Sequence, residues 1–238
     1  MLEFEDLDWD SGFFGFPIAK MSCDLPNVTE EAIRSRMICD GYRLVYLRSN
    51  EKVKQLAASF VVSQLELRCS VPVVDFEQFS INDADRVQII QVTTAPCEEI
   101  VRLANEASVE SRFRIDRRFS KEQCDRLYRI WIERSCNGEI ADYSAVATEQ
   151  DRSIGVVTLA TRWPTAKIGI IAVDPAKRGL GIGRQLIQAA LAQAAMRDCA
   201  EVAVVTQVQN TAATGLYEKC GFSRYAETHW YHFWNEEL

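Results

Sequence analysis

The sequence predicts an α+β chain: a central mixed, mostly antiparallel twisted sheet flanked by helices, preceded by a smaller N-terminal α/β unit. Three observations carry that prediction. Strand and helix patterns alternate along the chain. Three strand patterns follow one another across 143–173 with short turns between them, as in an antiparallel meander. A strand–helix–strand–helix–strand tail then runs to residue 234, so the sheet is mixed rather than purely parallel.

Taken in order, "EEAIRSRMICDG" (30–41) reads as a helix that Gly41 ends, and "YRLVYLRS" (42–49) as a strand. "EKVKQLAASF" (51–60) reads as a second helix, and "SQLELRCSV" (63–71) alternates as a strand does. The turn-rich stretch "PVVDFEQFSINDAD" (72–85) closes a first unit at 1–85, leaving 86–238 as the larger domain. That domain opens with the strand "RVQIIQVTT" (86–94). A helix follows at 95–111, with Pro96 near its start, where a missing N–H is harmless. A further helix at 121–138 carries Leu127, Ile130, Trp131 and Arg134 at helical spacing. The meander strands are 143–149, 153–163 and 166–173; the tail comprises helix 181–197, strand 200–207, helix 211–220 and strand 223–234.

Composition narrows the function classes. The 238 residues are 47% hydrophobic and 26% charged, ordinary for a globular protein. A net charge of −7 argues against nucleic acid as a partner, although "SRFRIDRR" (111–118) is a local basic cluster. Eight cysteines are spread singly with no CxxC spacing, and are read as reduced packing residues of a cytoplasmic protein. No leader pattern opens the chain, and no run approaches the roughly 20 apolar residues of a membrane span. His229 and His232 share one strand face without a nearby third ligand, so packing is expected of them and no metal site.

The chemistry-bearing stretch is "DPAKRGLGIGRQLIQAAL" (174–191), where Gly179, Gly181 and Gly183 open a helix. A glycine turn at a helix N-terminus suits phosphate, because unpaired amides and the helix dipole attract an anion. A nucleoside triphosphate loop needs a lysine and a hydroxyl after the glycines, and neither follows. A dinucleotide fingerprint fails as well: Arg184 stands where the third glycine belongs, and "VVTQVQN" offers no carboxylate for a ribose.

The run "RGLGIG" (178–183) resembles the coenzyme A loop of the GCN5-related N-acetyltransferase (GNAT) superfamily, with Arg178, Gly181 and Gly183 in register. A second block, "NTAATGLYEKCGF" (210–222), resembles that family's N-x-x-A-x-x-x-Y-x-x-x-G-F segment through Asn210, Ala213, Tyr217, Gly221 and Phe222. The resemblance covers roughly 86–238 and implies an acetyl-CoA-dependent acyltransferase that uses no metal. It implies pyrophosphate binding by the backbone of Arg178, Gly179, Leu180, Gly181, Ile182, Gly183 and Arg184. It implies a backbone donor to the acyl oxygen within Ile171, Ala172 and Val173, and coenzyme A contacts from Asn210, Ala213 and Tyr217. Asn210 suits a plain helix N-cap equally well, and both roles are compatible. Tyr217 is the residue that the resemblance makes the general acid for the departing thiolate.

Acetyl transfer to an amine also needs the amine unprotonated. An alkyl ammonium with a pKa near 10.4 is about a thousandth free base at neutral pH, a deficit of about 4 kcal/mol that a general base offsets. The opening "LDWDSGFFGFPIAKM" (7–21), "SRFR" (111–114), Tyr128 with Trp131, and "THWYHFW" (228–234) resemble the sugar-nucleotide branch of the superfamily. That branch implies the amine of a nucleotide-activated amino sugar, of the dTDP-4-amino-4,6-dideoxyhexose type, as acceptor. It also implies Glu66 as the base, directly or through water, though the alternating strand equally allows Glu66 to face solvent. Arg112 and Arg114 are candidates to pair with the nucleotide diphosphate, surface arginines being the plainer reading. A protein, peptide or small-amine acceptor, a non-catalytic acyl-CoA-binding domain, and a homodimer all stay open.

Overall fold

The computed structural model describes residues 2–22, 28–71 and 87–236. The expected border at 85/86 lies outside the described residues. By compactness the chain divides into one unit of 1–65 with 226–238, and another of 66–225.

The first unit contains β1 (Phe4–Asp6), α1 (Asp8–Phe14), β2 (Ile18–Ser22), α2 (Glu30–Asp40) and β3 (Leu44–Ser49). It also holds the start of β4 (Phe60–Ser70) and most of the last strand, Ser223–Trp234. β1 runs antiparallel to β2, β2 parallel to β3, and β3 antiparallel to the last strand. Its core joins Ile33 and Met37 of α2 to Val45, Leu47, Leu56, Tyr231 and Phe233. The aromatic opening is a helix that Gly15 stops at φ +83°, with Trp9 stacked on Phe13 at 5.3 Å. The helix expected at 51–60 is a kinked 3-10 segment, Lys54–Ser59, because β4 already begins at Phe60. His229 and His232 are buried, and His229 Nδ1 shares a hydrogen bond with Ser63 Oγ at 2.7 Å.

The second unit contains β5 (Gln88–Gln91), α3 (Glu98–Ala107), α4 (Arg112–Ile115), α5 (Lys121–Cys136), β6 (Tyr143–Glu149), β7 (Arg152–Arg162) and β8 (Thr165–Val173). α6 (Ile182–Ala195), β9 (Glu201–Gln207) and α7 (Thr211–Lys219) follow, and the last strand, β10 (Ser223–Trp234), starts there. Its strand order is β4-β9-β8-β7-β6-β5. The meander β6–β7–β8 is antiparallel and β8–β9 is parallel, the mixed sheet expected of the sequence. Val156, Ile170 and Ala172 pack into a core with Ile100, Val101, Leu103 and Ile132 of α3 and α5. Gly155, the neighbour of Val156, faces Leu186 and Ile182 of α6. Successive strand residues point to opposite faces, so α3 and α5 cover one face of the sheet and α6 the other.

Candidate active site

The site begins with a defect in β8. Val157 pairs with Ile171 and Leu159 with Ile168, so Thr158 stands opposite both Gly169 and Ile170. This is a β-bulge, stitched by the Ile170 N–H donating to Thr158 Oγ1 at 2.9 Å. Glycine gives room there: a Cβ on Gly169 would lie 3.0 Å from that oxygen, a tight contact. The parallel pairing of β8 with β9 runs only from Thr165↔Glu201 to Ile168↔Val204, stopping at the bulge.

Beyond the bulge, alternation decides where each amide points. The Asp174 N–H donates to Ile154 O at 2.8 Å, toward β7. Ala172 therefore also faces β7, whereas the amides of Ile171 and Val173 face the side from which β9 has parted. Those two are the donors aimed into the gap. Ala172 is a correction to the sequence reading: its amide belongs to the β7 ladder, and its side chain lies in the α3–α5 core.

The loop after β8 is fastened from both ends. Asp174 accepts from Ala176 N at 2.9 Å and from Arg102 at 2.7 Å, and these donors hold its carboxyl below the usual range. Arg178 reaches back to Val173 O at 3.3 Å and to Glu106 at 3.5 Å, while Lys177 pairs with Glu149. The three glycines serve two purposes. Gly179 and Gly181 take φ of +78° and +82°, a left-handed conformation that L side chains resist. Gly183 matters for packing instead: a Cβ there would meet Leu216 Cδ2 of α7 at 2.8 Å, so the leucine would have to shift. Gly181 is the N-cap of α6 and supplies no side-chain acceptor, so the amides of Ile182, Gly183 and Arg184 are free of a side-chain cap. Leu180 and Arg184 are exposed beside them.

Helix α7 carries the second block. Asn210 Oδ1 accepts from Ala213 N at 2.9 Å, so Asn210 is an N-cap. Tyr217 is 4% exposed and its ring lies 5.8 Å from that of Phe222. Burial, with a smaller push from Cys220, raises its phenol far above the usual range, so the proton is held at any physiological pH. One turn earlier on the same face, the hydroxyl of Thr214 is buried with no hydrogen-bond partner among the described residues. The loop amides, the left-handed glycines and this unpaired hydroxyl fit the pyrophosphate and amide-bearing arm of coenzyme A.

Raised tyrosine and cysteine pKa values make a stability prediction. Burial pushes Cys136 to about 11, and the hydrogen bond to Asp6 with burial pushes Tyr42 to about 12. Below pH about 10 folded and unfolded tyrosines alike keep their protons; above it the unfolded chain ionises first, so the folded state binds more protons and stability falls. Denaturant midpoints should drop between about pH 9 and about pH 11, less steeply in Tyr217→Phe. A flat profile would contradict the buried, neutral phenol.

Glu66 sits on β4, the neighbour of β9, and is tied to Arg68 at 2.7 Å. The two sequence-predicted arginines differ. Arg112 lies 4.2 Å over the Phe113 ring. Arg114 is a correction: its guanidinium is consumed by Ser108 at 3.0 Å, Lys121 O at 3.2 Å, Asn105 at 3.4 Å and Asp125. It clamps α3, α4 and α5, which leaves no fork for a diphosphate. Among the described residues no group of three or more His, Cys, Asp or Glu is placed to hold a metal, and no helix is long and apolar enough to cross a membrane.

The family model of the Acetyltransferase (GNAT) family matches residues 103–222, from α3 to the end of the second block. The chain belongs to the GNAT acetyltransferases. It is an acyltransferase of a family that uses acetyl-CoA. This GNAT chain is 28% identical over 232 residues to a dTDP-fucosamine acetyltransferase of Escherichia coli O6:H1, covering 95% of this chain and 96% of that one. It is 27% identical over 137 residues to a spore coat polysaccharide biosynthesis protein of Bacillus subtilis, covering 58% of this chain and 47% of that one. Its fold matches a conserved Staphylococcus epidermidis protein of unknown function with a TM-score of 0.66 at 14% identity, over 92% of this chain and 84% of that one.

Sequence reasoning missed the bulge at Gly169 and Thr158, the unpaired Thr214 hydroxyl, and Arg68. A lone glycine within the strand "AKIGIIAV" was the available signal for the first.

Proposed function

We propose that this GNAT enzyme acetylates the amine of a nucleotide-activated amino sugar of the dTDP-4-amino-4,6-dideoxyhexose type. The observation that carries this reading is the end-to-end similarity to the E. coli dTDP-fucosamine acetyltransferase, which continues through the N-terminal residues outside the 103–222 family match.

Each residue has a part in the proposed reaction. The amides of Gly179 to Arg184 hold the pyrophosphate at the start of α6. Acetyl-CoA supplies an acetyl group already activated as a thioester. The Ile171 and Val173 amides orient the acyl oxygen and stabilise charge developing on it. Glu66 takes the proton from the attacking amine, directly or through one water, and Tyr217 donates its proton to the sulfur. Attack is direct, in a ternary complex. Burial raises the thiols of Cys69, Cys124, Cys136, Cys199 and Cys220, the reverse of an activated nucleophile, so none of these five suits a cysteine relay.

The test is release of free thiol from acetyl-CoA with dTDP-4-amino-4,6-dideoxygalactose, a diamine and a peptide offered separately. The amino sugar should give a kcat/KM at least about 100-fold above the other two, a difference of about 2.7 kcal/mol. Turnover of the peptide alone would overturn the sugar assignment.

A further inference from the structure

We propose that Arg68 is a positioning residue that fixes Glu66 for proton abstraction; the inference rests on the reading of Glu66 as the base. Strand alternation puts both side chains on one face of β4, two residues apart. The Arg68 Nε–H donates to Glu66 Oε1 at 2.7 Å. Its Nη1–H donates to Glu201 Oε1 of β9, also at 2.7 Å. Glu201 is anchored in turn by the Thr165 hydroxyl of β8 at 2.8 Å. The guanidinium carbon lies over the Tyr225 ring of β10, 3.5 Å from its centroid.

Arg68 is thus held through four strands. A guanidinium offers a planar fork of donors, and two of them are bound to separate carboxylates while an aromatic ring lies against the group, so these contacts restrain its position. A free glutamate explores several rotamers on a strand. Binding one of its oxygens to an immobile guanidinium removes that freedom before the acceptor arrives, and the second oxygen is the one left to take a proton. The pairs Glu66–Arg68 and Glu201–Arg68 are one-fifth to under one-third exposed, with side chains at 20%, 29% and 29%. Two carboxylates around one guanidinium also leave the cluster one negative charge in excess, which attracts an acceptor arriving as an ammonium ion.

The experiment compares Arg68→Met, Glu66→Gln, the double variant and Glu201→Gln in the full chain. Each is assayed with whichever of dTDP-4-amino-4,6-dideoxygalactose, a diamine and a peptide the wild type turns over best. Arg68→Met should lower kcat about tenfold while the KM for acetyl-CoA stays within about twofold. Glu201→Gln, which loosens Arg68 without removing it, should give a smaller loss of the same kind, and it serves if Arg68→Met does not fold. In the Glu66→Gln background, Arg68→Met should cost nothing more, because both act through one carboxylate. Impaired Glu66→Gln beside an Arg68→Met of wild-type kcat, or losses that multiply in the double variant, would overturn the positioning role alone. A fully active Glu66→Gln would remove the base and Arg68's role with it.

Discussion

Replacing Tyr217 by phenylalanine should lower kcat by about 100-fold or more and leave the KM for acetyl-CoA within about threefold, since general acids contribute 10²–10⁴. The substitution removes one oxygen and keeps the ring against Phe222, so the packing of α7 on the following turn survives. Burial keeps the wild-type phenol protonated well beyond neutral pH. Its acid form is therefore fully available across the working range, and kcat should show no decline from loss of this proton until strongly alkaline pH. Steady-state kinetics with both substrates varied decide the matter. An unchanged kcat would remove Tyr217 as the proton donor and leave it a packing residue.

Gly181→Glu should raise the dissociation constant of coenzyme A at least about 100-fold, or about 2.7 kcal/mol. Crowding within the protein is not the cause, because nothing lies within 4 Å of a Cβ built at Gly181. Two other effects combine. At φ +82° a side chain strains the turn by about 1–2 kcal/mol, and a carboxylate is placed beside the amides proposed to hold the phosphate. Asparagine tolerates the left-handed region and carries no charge, so Gly181→Asn should fall between wild type and Gly181→Glu. Calorimetric titration with coenzyme A reads both values. Wild-type affinity in Gly181→Glu would place the pyrophosphate elsewhere.

How far these features could be read from sequence depends on how local each one is. The meander at 143–173 and the strands and helices of the tail follow from periodicities within each segment, and the structure reproduces them to within a residue or two. The short opening elements β1, α1 and β2 carried too few residues to show a period. The loop glycines were legible as a group. Their separate reasons were not, since the close neighbour of Gly183 is Leu216, on another helix. Arg114 shows the same limit from the other side. Its type suited a phosphate, but partners 6 to 11 residues away in sequence had already taken its donors. Arg68 was invisible because its partners Glu201 and Tyr225, and the Thr165 hydroxyl that anchors Glu201, come from distant strands.

The proposed acceptor of this GNAT enzyme is the amine of a nucleotide-linked sugar. The most direct measurement is a competition in one tube, with acetyl-CoA and equal amounts of dTDP-4-amino-4,6-dideoxygalactose, a diamine and a peptide, followed by mass spectrometry of all products. The nucleotide sugar should gain one acetyl group, on its amine, before either competitor is measurably modified. Acetylated peptide or diamine alongside unmodified nucleotide sugar would contradict it.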